Sequence, residues 1–128
     1  MTYRILADIV LALHASFVAF AVAGGLAVWW RPKAAWLHLP VVAWGAWIML
    51  TGHVCPLTPL ENRLRLAAGQ AGYRGGFIEH YVTAVIYPEG LTRPAQIGLG
   101  VALVLLNACA YALASRRRRR SAPPPGGR

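Results

Sequence analysis

Few side chains in this sequence can do acid–base, nucleophilic or metal chemistry: four histidines, two cysteines and four acidic residues in 128 positions. Asp8 and His14 stand inside a long apolar run, where an ionisable group costs roughly 2.5–3.5 kcal/mol on insertion scales and therefore faces a bundle interior or a polar cavity. Six residues separate them, about 240° around a helix, so each needs partners on other helices. Asp8 also reads as an interfacial carboxylate, and His14 as a structural hydrogen-bonding residue. His53, Cys55, Glu61, Glu79 and His80 follow in the central part of the chain. A set of His, Cys and carboxylate fits a transition-metal site, a His-ligated haem or a proton relay. The spacing supports none of these strongly, since CxxC, HExxH and paired histidines on one helix face are all missing. The metal candidates are His14, Cys55, Glu79 and His80. His38 and His53 lie about 22 Å apart along a helix and some 60° out of alignment, a faint echo of helices that hold two haems.

Other residues read more plainly. Thr58-Pro59-Leu60-Glu61 has the form of a capping box, with Thr58 capping, Pro59 at the first helical position and Glu61 closing the box. Glu79-His80 is an adjacent carboxylate and imidazole on an otherwise apolar stretch, equally suited to anchoring a helix at an interface. Cys55 and Cys109 belong to opposite sides of the membrane, so a disulfide is not expected. The sequence holds no phosphate-binding glycine loop and no G-x-S-x-G elbow.

The elements that must position these residues are apolar. The chain is 57% hydrophobic with a mean hydropathy of +0.46, and only 13% of it is charged, against about 25% in soluble domains. Its net charge is +9, but without residues 116–128 seven basic and four acidic groups remain, a net +3. From Ile5 to Trp30 the chain is apolar except at Asp8, His14 and Ser16, long enough to cross a hydrocarbon core of roughly 30 Å. A cleaved leader ending near Ala21-Val22-Ala23 is the alternative, opposed by the apolar run continuing to Trp29-Trp30 and the flanking Arg31 and Lys33. A second span is expected from Ala34 to about Gly52, and a last one from Ala95 to Ala114, leading directly into Arg116, Arg117, Arg118, Arg119 and Arg120. By the positive-inside rule that end is cytoplasmic in a bacterial inner membrane. The arginines read as a stop-transfer anchor attracting anionic lipid rather than as a nucleic-acid site. Residues 1–115 form the expected helical membrane domain, and 116–128 a disordered basic tail.

Between the second and last spans, Leu60, Leu64 and Ala68 share one face of a short helix and Asn62, Arg63 and Arg65 another, the pattern of a helix lying in the interface. Gly72 to Gly76 is a turn. Phe77 to Tyr87 is then a second short helix ended by Pro88-Glu89-Gly90; its 11 residues reach only about 17 Å. If it crosses, there are four spans with both termini inside. If it does not, there are three, with the termini on opposite sides. Charge bias favours four and segment length three. The fold is an all-α membrane bundle in either case.

The phrases Cys55-Pro56-Leu57-Thr58-Pro59-Leu60-Glu61-Asn62, Gly72-Tyr73-Arg74-Gly75-Gly76-Phe77-Ile78-Glu79-His80-Tyr81 and Ile86-Tyr87-Pro88 resemble a family of small bacterial membrane proteins known as domain of unknown function 2784. The resemblance extends from about Tyr3 to Ala114 and includes Leu13-His14 and Trp36-Leu37-His38-Leu39-Pro40. At position 53 the family pattern favours an aromatic residue, which makes His53 a departure. The resemblance implies a membrane location and no particular reaction; its motif residues are His14, Cys55, Pro56, Thr58, Glu61, Asn62, Glu79, His80 and Tyr81. The expected site is a polar cluster of Asp8, His14, Cys55, Glu61, Asn62, Glu79, His80 and Tyr81. The leading expectation is a non-enzymatic accessory or binding protein contacting a membrane partner, lipid or ion. The alternative is a metal- or haem-dependent redox protein using the His, Cys and carboxylate cluster. Proton-coupled transport through Asp8 and His14 would require an oligomer, for which the spacing of Gly98 and Ala102 permits close helix contact.

Overall fold

The computed structural model describes residues 1–74, 77–83, 91–124 and 126. Three long helices, α1 (Thr2–Trp30), α2 (Ala35–Thr51) and α4 (Arg93–Ser121), are joined by a short α3 (Leu57–Ala67) and a π-helical turn (Ile78–Thr83); no strand occurs among the described residues. The segments Thr2–Trp30, Pro32–Thr51 and Arg93–Ser121 are long and apolar enough to cross a membrane. Each turns a narrow stripe inward and leaves the rest of its surface apolar, which suits helices surrounded by lipid. The α1 stripe is Ala7, Val10, His14, Ala21, Gly24, Gly25 and Val28, and on α2 it is His38, Val42 and Ala46. On α4 it is Gly100, Asn107 and Ala114, a seven-residue repeat that keeps one seam against its neighbours.

The direction of α4 decides the topology. Near its start, Arg93 donates to the carbonyls of Met49 and Leu50 at the end of α2. Toward its other end, Tyr111 pairs with His38 near the start of α2, and the indole N–H of Trp29 reaches the Ala110 carbonyl. Thus α4 runs antiparallel to α2, and the chain between them begins and ends at the same end of the bundle. A four-span bundle would make these helices parallel, so the antiparallel pair fits the three candidate spans found among the described residues. Charge bias pointed to four spans, and the direction of α4 does not follow it.

The two ends of the bundle are closed differently. At one end His38, fully buried, lies between Phe20 and Tyr111, with Nδ1 2.8 Å from the Tyr111 hydroxyl. Asn107 donates to the carbonyls of Ala21 at 3.0 Å and Leu103 at 2.9 Å, linking α4 to α1. Gly24 makes this packing possible, because a Cβ there would stand 2.4 Å from His38 Cδ2. At the other end α2 stops at Gly52 in the left-handed conformation (φ 78°), where the Gly52 N–H meets the Ile48 carbonyl. There α3 returns to pack along the first half of α1.

One boundary differs from expectation. Helix α4 continues through Arg116–Arg120 to Ser121, past the limit of 115 drawn from composition, because arginine is a good helix former. Gly98 and Ala102 do not mark a contact within the chain: a Cβ on Gly98 would meet nothing within 4 Å, and Ala102 is exposed. The expected turn at Gly75-Gly76, the stretch from Ala84 to Tyr87 and the stop at Pro88-Glu89-Gly90 lie outside the described residues.

Candidate functional site

Helix α3 is turned the opposite way from an ordinary surface helix. Thr58 and Glu61 are buried against the bundle and Arg65 lies beside them, while Leu60 and Leu66 face outward with 44% and 63% of their surface exposed. Lipid around the bundle explains the inversion, since the apolar side of α3 then needs no protein cover. The capping box expected at Thr58 does not form. The helix starts at Leu57 after Pro56 with no side-chain cap, and the Glu61 carboxylate points into the bundle instead of back toward its own N-terminus.

Glu61 is completely buried and receives three hydrogen bonds. Arg65 Nε donates to Oε1 at 2.7 Å, the Tyr81 hydroxyl to the same oxygen at 2.9 Å, and the Tyr73 hydroxyl to Oε2 at 2.7 Å. The Arg65 guanidinium also touches the Tyr81 oxygen and the Gln70 amide oxygen, each at 3.4 Å, and stands 3.8 Å from the Asp8 carboxylate on α1. A helix pair at i,i+4 thus anchors two phenols from the following chain and one carboxylate from the first helix. Asn62 completes the attachment: its amide donates to the Tyr73 carbonyl at 2.9 Å and accepts from the Tyr73 N–H at 3.0 Å.

The electrostatics follow from that geometry. The hydrogen bond to Glu61 raises the Arg65 pKa, so its charge is secure at every ordinary pH. Burial, reinforced by the hydrogen bond to Glu61, raises the pKa of Tyr73 and of Tyr81, since a phenolate there would be poorly solvated and would face a carboxylate.

The remaining candidates fall into two places. His14 is buried with its ring against Phe77, centroids 4.3 Å apart, and with Cys55, Glu79, His53 and Gln96 it borders a cavity of about 90 Å³. His80 faces elsewhere. It stacks on Tyr73 with centroids 4.0 Å apart and lines an open groove of about 430 Å³ with Leu11, Arg65, Ala71 and Tyr81. Three of the four metal candidates, His14, Cys55 and Glu79, border the one cavity and His80 does not, yet among the described residues no three His, Cys, Asp or Glu side chains are placed to hold a metal ion. The haem pairing of His38 with His53 has no geometric basis either. His38 is fully buried between Phe20 and Tyr111 with Nδ1 on the Tyr111 hydroxyl, and exposed His53 stacks on Trp47 and bonds Thr51 Oγ1. Cys55 and Cys109 are both free thiols.

A family model described as Protein of Unknown function (DUF2784) matches residues 4–112. The chain belongs to this family. The match covers α1 from Arg4 onward and all of α2, α3 and the π-helical turn, so the Glu61 network and the His14 cavity of this DUF2784 protein both lie within the family's extent. The chain matches no curated protein and no solved structure. Sequence reasoning missed Arg65, Tyr73 and Gln70. The i,i+4 spacing of Glu61 and Arg65 was a usable signal, whereas the spacing of Tyr73, 12 residues from Glu61, gave none; Tyr81 stood in the expected cluster through the family resemblance.

Proposed function

We propose that this protein is a non-enzymatic accessory or binding protein of the bacterial inner membrane, which uses the α3 end of its bundle to engage a membrane partner. The observation that carries this reading is the saturation of Glu61. A fully buried carboxylate holding three donors is poorly placed to take a proton from a substrate and well placed to lock α3, Tyr73 and Tyr81 onto α1. The network stiffens the wall of the groove formed by Leu11, Ala71, Tyr73, His80 and Tyr81, where one side is apolar and the other carries aromatic and polar groups. Surfaces rich in tyrosine, with one charged anchor, suit protein contact.

The orientation belongs to the same proposal. With three spans, Arg31, Lys33 and Arg116–Arg120 share one end, and the positive-inside rule makes that end cytoplasmic and the α3 end external. The arginine-bearing end of α4 then meets anionic lipid headgroups. A photoreactive residue at exposed Ala71, introduced in the native membrane, tests the groove. The expected result is one discrete adduct that disappears when Tyr81→Ala is added. An adduct unaffected by Tyr81→Ala, or no discrete adduct, overturns the reading.

A further inference from the structure

We infer that the face of α4 carrying Arg116 and Arg120 is a fixed site for one anionic phospholipid. This rests on the proposal that the arginine-bearing end meets anionic headgroups, and deepens it from a diffuse attraction to a discrete bound lipid. The end of α4 is held in place by α1. The Val28 carbonyl, in the last turn of α1, has Pro32 four residues on, and proline brings no N–H to meet it. The Arg118 guanidinium supplies the missing donor, a cation at the C-terminal end of the α1 dipole. Arg118 follows buried Ala114 by one turn, so it prolongs the stripe by which α4 packs on its neighbours. The Trp29 indole, on the Ala110 carbonyl, fixes the same pair of helices two turns earlier.

With α4 clasped in that rotation, Arg116 and Arg120 stand one turn apart on its outer side, about 160° around the helix from Arg118. Both are exposed. Like charges at this spacing repel each other, and the chain offers them no relief. Residues 9–60 and 90–128, from which this end of the bundle is built, contain no acidic residue. A lipid phosphate is the counter-charge available at this depth, and guanidinium groups bind its oxygens in pairs. The surface just before the arginines says what the anion carries. Leu106 and Leu113 lie on the same face at seven-residue spacing from Arg120, 51% and 52% exposed, and give acyl chains a track leading away from the charges. Trp30, 74% exposed at the end of α1, marks the headgroup level beside them. An anion with its own hydrocarbon fits this face, whereas a soluble polyanion would leave the leucines uncovered.

The test uses the full chain in neutral micelles with equimolar phosphatidylglycerol and phosphatidylcholine, their chains differing in mass, and counts the lipids retained by native mass spectrometry. The first lipid retained should be phosphatidylglycerol, by at least about tenfold, the effect of one to two basic groups near an anionic surface. Two double variants remove the same number of charges from different faces. Arg116→Gln with Arg120→Gln should abolish the preference, and Arg117→Gln with Arg119→Gln should keep most of it. Equal losses in the two pairs mean a diffuse attraction and overturn this inference alone. No preference in the wild type overturns it together with the proposal that this end meets anionic lipid. Displacement of the phosphatidylglycerol by millimolar inorganic phosphate means a site for free anions and also overturns it.

Discussion

A carboxylate with no exposed surface has to find its donors inside the protein, and Glu61 finds three of them on side chains that the local helix alone could not supply. Glu61→Gln keeps the shape but turns one acceptor into a donor facing a phenol or a guanidinium. We expect it to cost about 3 kcal/mol, as breaking a buried ion pair does, read from thermal unfolding in micelles; wild-type stability would mean that the network is incidental. The phenols add a pH dependence. Tyr73 and Tyr81 have folded pKa values raised above the unfolded value near 10. Their contribution is therefore complete below pH of about 10 and is lost as pH climbs from there toward the folded values, because only the unfolded chain then ionises freely. Melting temperatures recorded across alkaline pH should fall, and fall less steeply in a Tyr73→Phe, Tyr81→Phe double variant. Glu61 stands out in the sequence as one of only four acidic residues, but there it reads as half of a capping box. The error is physical: a capping box assumes water beside the helix start, and here the helix turns its polar side inward.

The helices themselves were largely legible because a span needs only length and apolarity, and all three apolar runs are helices. Their orientation toward one another was not. His38 and Tyr111 are 73 residues apart, and neither type nor spacing announces that they meet. Gly24 is the element-level key to that contact. Gly24→Ala would place a methyl group 2.4 Å from the His38 ring and 2.9 Å from Phe20. Overpacking of this kind costs about 1–3 kcal/mol, so the variant should melt earlier, whereas Gly98→Ala, where nothing lies within 4 Å, should melt like the wild type. The central segment was expected as a second short helix over Phe77 to Tyr87. Over Ile78–Thr83 it winds as a π-helix, whose wider turn changes which side chains are neighbours and brings Phe77 to His14 and Tyr81 to Glu61.

For the whole molecule, antiparallel α2 and α4 put the α3 end and the arginine-bearing end at opposite ends of the bundle, which the proposed orientation sets on opposite sides of a membrane. In a chain whose native cysteines are replaced by alanine, a cysteine at Ala71 should react with an impermeant maleimide added outside spheroplasts, and one at Ser121 only after lysis. Reaction of both from outside would refute the three-span arrangement. Replacing Arg116–Arg120 by glutamine should weaken that bias and produce a fraction of inverted molecules, measured by the same labelling.

The distance in sequence between His38 and its partner also has a meaning in time. A ribosome adding roughly 5–20 residues per second delivers Tyr111 several seconds after His38 has entered the bilayer, and Asn107 arrives 86 residues after the Ala21 carbonyl that receives it. During that interval the newborn α1–α2 hairpin carries an unmatched imidazole and an open notch at Gly24. The last helix is therefore the plug of the bundle, and a chain stalled before it is synthesised is a natural object for the membrane's quality-control machinery.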